Sequence, residues 1–174
     1  MNLLKLLVRG TVVLADSAKK MRTLQMRLTA GEVKDGLEHF EPYGFTSTPL
    51  AGAEGITAFL GGDRSHGVVL LVADRRYRIQ TLKPGEVAIF TDEGDRIHFK
   101  RGRIIDIETK TLNIQTQALN IKATAVNIDS PVLKHSGKII SDGDQIAAGI
   151  SQVKHTHGGV LPGPGVTSPP VGGA

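Results

Sequence analysis

No cysteine occurs in the 174 residues, and no tryptophan. The first absence excludes both a disulfide framework and a thiolate metal site. Aromatic residues are scarce, with five Phe and two Tyr. A monomeric core of this length ordinarily uses more, so part of the chain is expected to lie outside any compact core. Long apolar runs are also missing. The start holds Leu3, Leu4, Leu6, Leu7 and Val8, too short to cross a bilayer and followed by no small-residue cleavage site. The expectation is a short amphipathic segment that docks on the domain or a partner, with no signal peptide and no transmembrane segment. There is no Gly-x-Ser-x-Gly elbow and no phosphate-binding glycine motif. The net charge of +4 is spread along the chain, which suits a solvated surface rather than a nucleic-acid footprint.

What is present is a repeat. Three seven-residue blocks follow one another: Thr109 to Gln115, Thr116 to Lys122 and Ala123 to Asp129. Each carries an aliphatic residue, an asparagine and an isoleucine at the same places: Leu112/Ile114, Leu119/Ile121 and Val126/Ile128. A looser block before them contains Ile105-Asp106-Ile107. A coiled-coil seam needs apolar residues three and four apart. Here they stand two apart, which places both on one face of a strand. The Thr, Ile, Val and Asn content agrees with strands. Such repeats cannot bury their apolar face alone.

The residues before the repeat read as a small antiparallel β domain. Val8 to Leu14 is a strand with an internal glycine, Gly10, which signals a bulge or close packing. Thr23 to Thr29 alternates as a half-buried strand. Residues 32 to 55 read as irregular, punctuated by glycine and proline. Ile56–Leu60 and Gly67–Ala73 flank a Gly61-Gly62-Asp63 turn, and Val87–Thr91 and Arg96–Lys100 flank a hairpin turn at residues 92–95. Short strands with glycine-rich turns suit a barrel of the OB type. Past Asp129 the repeat loosens, although Val132, Leu133, Ile139 and Ile140 keep its style. From Gly158 onward glycine and proline dominate, and no regular structure is expected.

Three chains wound round one axis would bury the heptads better than a single-chain solenoid. Each chain would lay a strand on successive faces of a triangular prism, with Leu112, Ile114 and their repeats facing the axis and no long edge left open. At one strand per seven residues the region would span on the order of 35 Å. His155-Thr156-His157 stands where the repeat ends. In an extended chain both imidazoles face one point, and three chains would offer six nitrogens, a set for iron, nickel or another octahedral ion. His39, His66, His98 and His135 stand singly and read as surface or packed residues. Asp63, Ser65 and His66 are hydrolase residue types, but too close in sequence for a triad without special geometry. No catalytic residue is assigned, and the chain is read as a non-enzyme.

The chain resembles the Mu-type baseplate spikes of contractile phage tails, the baseplate assembly protein V family, related to the spikes of R-type tail bacteriocins. The resemblance rests on Val72 to Arg78, Leu82 to Ala88 with the hairpin after it, the heptads, and the ending His155 to Gly165. It implies an all-β homotrimer: an OB-fold-like base over residues 1–100, an intertwined β-helical or β-prism shaft over 101–150, and a metal-bound tip and Gly/Pro cap over 151–174. It implies one iron ion per trimer, held by His155 and His157 of three chains. It also implies a place in the virion's tail baseplate after assembly in the host cytoplasm. The base would meet tail tube and hub proteins, and the tip would perforate the bacterial outer membrane when the sheath contracts. No nucleic-acid partner is expected. The rival reading is a trimeric tail fibre or adhesin that binds the host surface. It would want a bulky C-terminal recognition domain, where this sequence has a histidine motif and a small-residue tail.

Overall fold

The computed structural model describes residues 6–159 and 163. The first five residues of the expected amphipathic segment, and all but one residue of the Gly/Pro cap beyond Gly159, lie outside the described residues. The chain divides into two units, residues 1–117 and 118–174. Among the described residues, apart from two short 3-10 turns at Thr29–Gly31 and Leu60–Gly62, the regular structure is all strand.

The first unit opens with a closed five-stranded barrel: β1 (Leu7–Asp16), β2 (Thr23–Arg27), β3 (Val33–His39), β4 (Glu54–Phe59) and β5 (Gly67–Ala73). Around the barrel the order is β1-β2-β3-β5-β4, and β4 closes on β1. Every pair is antiparallel except β3 with β5, which run parallel with His39 opposite Val69. The expected small barrel is therefore present.

Alternation builds its core. Val8 and Val12 from β1, Leu24 and Met26 from β2, Leu37 from β3, Phe59 from β4 and Val69 from β5 are all buried in one cluster. Successive residues of a strand face opposite sides, so one residue in two reaches this interior. Gly10 shows why the first strand carries a glycine. A Cβ there would stand 2.5 Å from the Arg27 carbonyl oxygen and 2.8 Å from Leu28. The bulge that the same glycine suggested lies further on, where the β1–β2 register shifts between Val12 and Leu14.

Residues 32–55 are not irregular throughout, because β3 runs through their first part. Its register against β2 also shifts, and Gly36 at the shift has φ 66°. That break hides the strand's alternation in the sequence. The long β3–β4 connection is tied down by Glu41, whose carboxylate accepts hydrogen bonds from the Ser47 N–H (2.6 Å) and the Thr46 hydroxyl (3.0 Å) and pairs with Arg22 at 2.8 Å.

The second sheet holds β6 (Val87–Phe90), β7 (Arg96–Lys100) and β8 (Ile104–Glu108) in that order. The predicted hairpin is present as β6 and β7, but it stands outside the barrel sheet. It pairs instead with β8, which contains Ile105-Asp106-Ile107. Gly102 and Arg103, with φ 83° and 61°, make the tight turn into β8. Among the described residues of the second unit the paired strands are β9 (Ile146–Ala147) and β10 (Ile150–Ser151), joined through Ala148 and Gly149, both at positive φ.

Candidate functional site

The heptads dominate the sequence, yet residues 109–145 form no paired strand among the described residues. Leu112, Ile114, Leu119, Ile121, Val126 and Ile128 are between 59% and 66% exposed in the single chain. Six aliphatic side chains, regularly spaced in sequence, are each left open to this degree in the single chain.

The histidine pair sits just past the β9–β10 hairpin. The hairpin is closed by Gln152 N–H donating to the Gln145 carbonyl (2.9 Å) and by Val153 N–H donating to the Asp144 carboxylate (3.2 Å). The Asp144 carboxyl is held below its ordinary range, first by the Ser151 hydroxyl and then by backbone N–H donors. Lys154 N–H reaches the Ser151 hydroxyl at 2.8 Å, and His155 N–H reaches the Ser151 carbonyl at 3.2 Å. The turn thereby presents His155 and His157 side by side, with ring centroids 5.0 Å apart and planes at 78°.

His155 Nδ1 lies 2.8 Å from the Ser151 carbonyl oxygen. A carbonyl only accepts, so Nδ1 donates in this bond and Nε2 takes no part in it. A second-sphere hydrogen bond to one ring nitrogen is the usual arrangement of a ligating histidine. His155 thus has the hydrogen bond that such a ligand would use, and the His157 ring stands beside it. Among the described residues no group of three or more possible ligands gathers within one chain.

The isolated histidines are accounted for individually. His39 is buried in the barrel, its Nδ1 has no hydrogen-bond partner among the described residues, and burial pushes its pKa below the ordinary value. His135 Nδ1 lies 3.1 Å from the Gly137 carbonyl oxygen. Asp63 and His66 stand 3.8 Å apart in an exposed turn, where the Asp63 carboxylate accepts the Ser65 N–H at 2.8 Å. That carboxylate is engaged as a turn cap, a structural use of these three residue types.

Sequence reasoning missed Glu86. Its carboxylate accepts hydrogen bonds from the backbone N–H of Lys83 and of Arg101, both at 3.0 Å, and lies 3.2 Å from His98 Nε2. The two backbone donors, Arg101 first, lower its pKa to about 2. Glu86 thus staples the β7–β8 turn to the start of β6. No local pattern marks it, because two of its three partners, His98 and Arg101, lie 12 and 15 residues further along the chain.

A family model described as Bacteriophage Mu Gp45, N-terminal, matches residues 9–76. The baseplate puncturing device gp45 of Escherichia phage Mu is 40% identical over 108 residues, covering 62% of this chain and 54% of that protein. The Mu-like prophage FluMu protein gp45 of Haemophilus influenzae is 38% identical over 117 residues, covering 63% of this chain and 64% of that protein. The chain thus spans 54% and 64% of the lengths of these two relatives. Residues 9–76, which carry nearly all of the closed barrel, are thus similar to the Mu Gp45 N-terminal family, and the resemblance to the Mu-type baseplate spikes is borne out by these matches.

Proposed function

We propose that three copies of this chain form the central spike of a contractile phage or phage-like tail baseplate, and that its tip perforates the bacterial outer membrane as the sheath contracts. The phage Mu relative is named a baseplate puncturing device. The observation that carries the reading is the aliphatic stripe from Leu112 to Ile128, exposed along the single chain at a period of seven. Winding three chains round one axis would turn this stripe into a shared core and pair each chain's strands with its neighbours. A rod held in that way opens locally only if three chains part, which is the stiffness a piercing device requires.

His155 and His157 of the three chains would hold one iron ion. The ion would supply six-coordinate cross-linking of the chains at the tip. A site that exists only in the assembled form favours that form by mass action. The barrel would seat on tail tube and hub proteins, which places the assembly in the virion's tail baseplate. No step of this function requires chemical turnover.

The test is solution mass with elemental analysis of the same sample. The expected mass is three times 18.5 kDa, with metal near one third of an ion per chain. His155→Ala with His157→Ala should abolish the metal and keep the trimer. A monomer at micromolar concentration overturns the reading. Full metal retained by the double variant moves the site elsewhere.

A further inference from the structure

One cleft of the first unit lies apart from the heptads, the histidine pair and the Glu86 staple. It measures about 550 Å³ and opens between the outer wall of the barrel and β6. β1 gives it Arg9, β4 gives Glu54, and the turn after β5 gives Arg75 and Arg78, while Phe90 of β6 supplies an apolar wall. Asp74 at the rim shapes that turn. Its carboxylate accepts the Arg76 N–H at 3.0 Å, and its carbonyl accepts the Arg78 N–H at 3.2 Å. Three residues apart in such a turn, Arg75 and Arg78 reach the same side, and both line the cleft. Arg76 turns elsewhere, pairing with Asp74 through Nε at 2.9 Å and donating to the Ala51 carbonyl at 2.9 Å.

The charges inside the cleft do not balance. Asp74 is neutralised by Arg76. Glu54 is gripped by two guanidiniums: it pairs with Arg9, and Arg75 forks onto it with Nε 2.5 Å from one carboxylate oxygen and Nη2 3.0 Å from the other. The Arg78 guanidinium has no ionic partner among the described residues. Three guanidiniums therefore face one carboxylate.

We propose that this cleft binds a carboxylate carried on an extended, partly apolar segment of a neighbouring baseplate protein. This rests on the reading of the barrel as a seat for other baseplate proteins and names the chemistry that one of them would present. It uses neither the heptads nor the histidines. Two observations choose the occupant. The first is charge: a guanidinium offers a planar fork that matches a carboxylate, and Arg78 can turn onto an incoming one without breaking an internal pair. The second is the floor beside it. A shallower groove of about 220 Å³ continues from the cleft, shares Arg9, Glu54 and Ala73 with it, and is floored by Ile56 and Leu71. These two stand opposite each other on β4 and β5 and are 40% and 60% exposed. An apolar floor next to a cationic mouth fits an aliphatic side chain adjoining a carboxylate, whereas a free phosphate would leave the floor uncovered. β1, β4 and β5 are each paired on both sides, so the segment cannot add as a strand and is held by its side chains alone.

The test uses the full-length chain and a short fluorescein-labelled peptide of alternating leucine and glutamate, followed by fluorescence anisotropy. Saturable binding is expected, weaker at raised salt and weaker by about tenfold or more when glutamine replaces the peptide's glutamate. Arg78→Gln should weaken binding by a similar factor, and it removes no contact within the fold. Lys20→Gln takes the same charge from an exposed residue outside the cleft and should leave binding unchanged. Equal binding by the parent and Arg78→Gln, or of the glutamate and glutamine peptides, overturns the proposal. So does a parent that ignores the peptide, as it would if a second copy of the chain filled the cleft. Inorganic phosphate that displaces the peptide more effectively than free N-acetylglutamate overturns the choice of a carboxylate. Solution mass of the same sample separates this proposal from the one it rests on. A trimer that does not bind removes the cleft site and leaves the spike, whereas a monomer that binds keeps the site and removes the trimeric reading.

Discussion

Glu86 and Gly10 show how single residues hold this fold, and each carries a measurable consequence. The Glu86 carboxyl is lowered from 4.5 to about 2 by backbone donors that the folded sheet supplies. A depressed carboxylate pKa stabilises the fold above the ordinary value, and that contribution fades as pH falls from about 4.5 towards about 2. Thermal midpoints recorded across this window should drop more steeply for the parent than for Glu86→Gln, which lacks the titration. Parallel profiles would mean that Glu86 contributes little. Gly10→Ala would force a Cβ to within 2.5 Å of the Arg27 carbonyl oxygen. Because that neighbour is backbone in a closed barrel, relief requires strand movement, at a cost of about 1–3 kcal/mol. A urea midpoint unchanged from the parent would show that β1 and β2 can part cheaply. The glycine was visible in the sequence as a break in a β-branched run. The glutamate was not, because its three partners lie at sequence separations of 3, 12 and 15.

At the scale of elements, strands with clean alternation could be read directly. β2 alternates Leu24 and Met26 with Thr23, Gln25 and Arg27, and β1 buries Val8 and Val12. β3 escaped because its register shift at Gly36 breaks the period and leaves Leu37 as its one core aliphatic. Its existence depends on ladders to β2 on one side and to β5 on the other. The hairpin after residue 86 was legible as a hairpin, but not its independence from the barrel, since turn chemistry is silent about which sheet a hairpin joins. The heptad blocks form a separate case. Ile121→Asp would set three carboxylates close to the proposed axis without partners, on the order of several kcal/mol unfavourable at each site. The variant should fail to assemble or lose the parent's resistance to detergent, as seen by mass and by gel mobility without heating. A variant as stable as the parent would put Ile121 on the solvent side.

For the whole molecule, assembly and metal binding should make stability depend on concentration. A trimer that unfolds to separate chains gains stability with total protein, so its thermal midpoint should rise over a hundredfold increase in concentration. A midpoint independent of concentration would point to chains that unfold singly. Removal of metal by a strong chelator should lower the parent's midpoint and leave the His155→Ala, His157→Ala variant unchanged. An equal drop in both would mean that the chelator acts somewhere other than this histidine pair.

Local chemistry was enough to establish strand character, the barrel's alternating core strands, the seven-residue period and the paired imidazoles at its end. Each depends on spacing along the chain, which a strand's period of two converts into direction without reference to the rest of the molecule. Long-range pairing settled the remainder. The parallel closure of β3 on β5, the recruitment of β8 to the hairpin, and the single apolar face shared by β6, β7 and β8 arise from residues far apart in sequence. That face could not be read from β6, where Val87-Ala88-Ile89-Phe90 is apolar on both sides. Only the register against Phe99 and Ile97 shows which half joins the open surface.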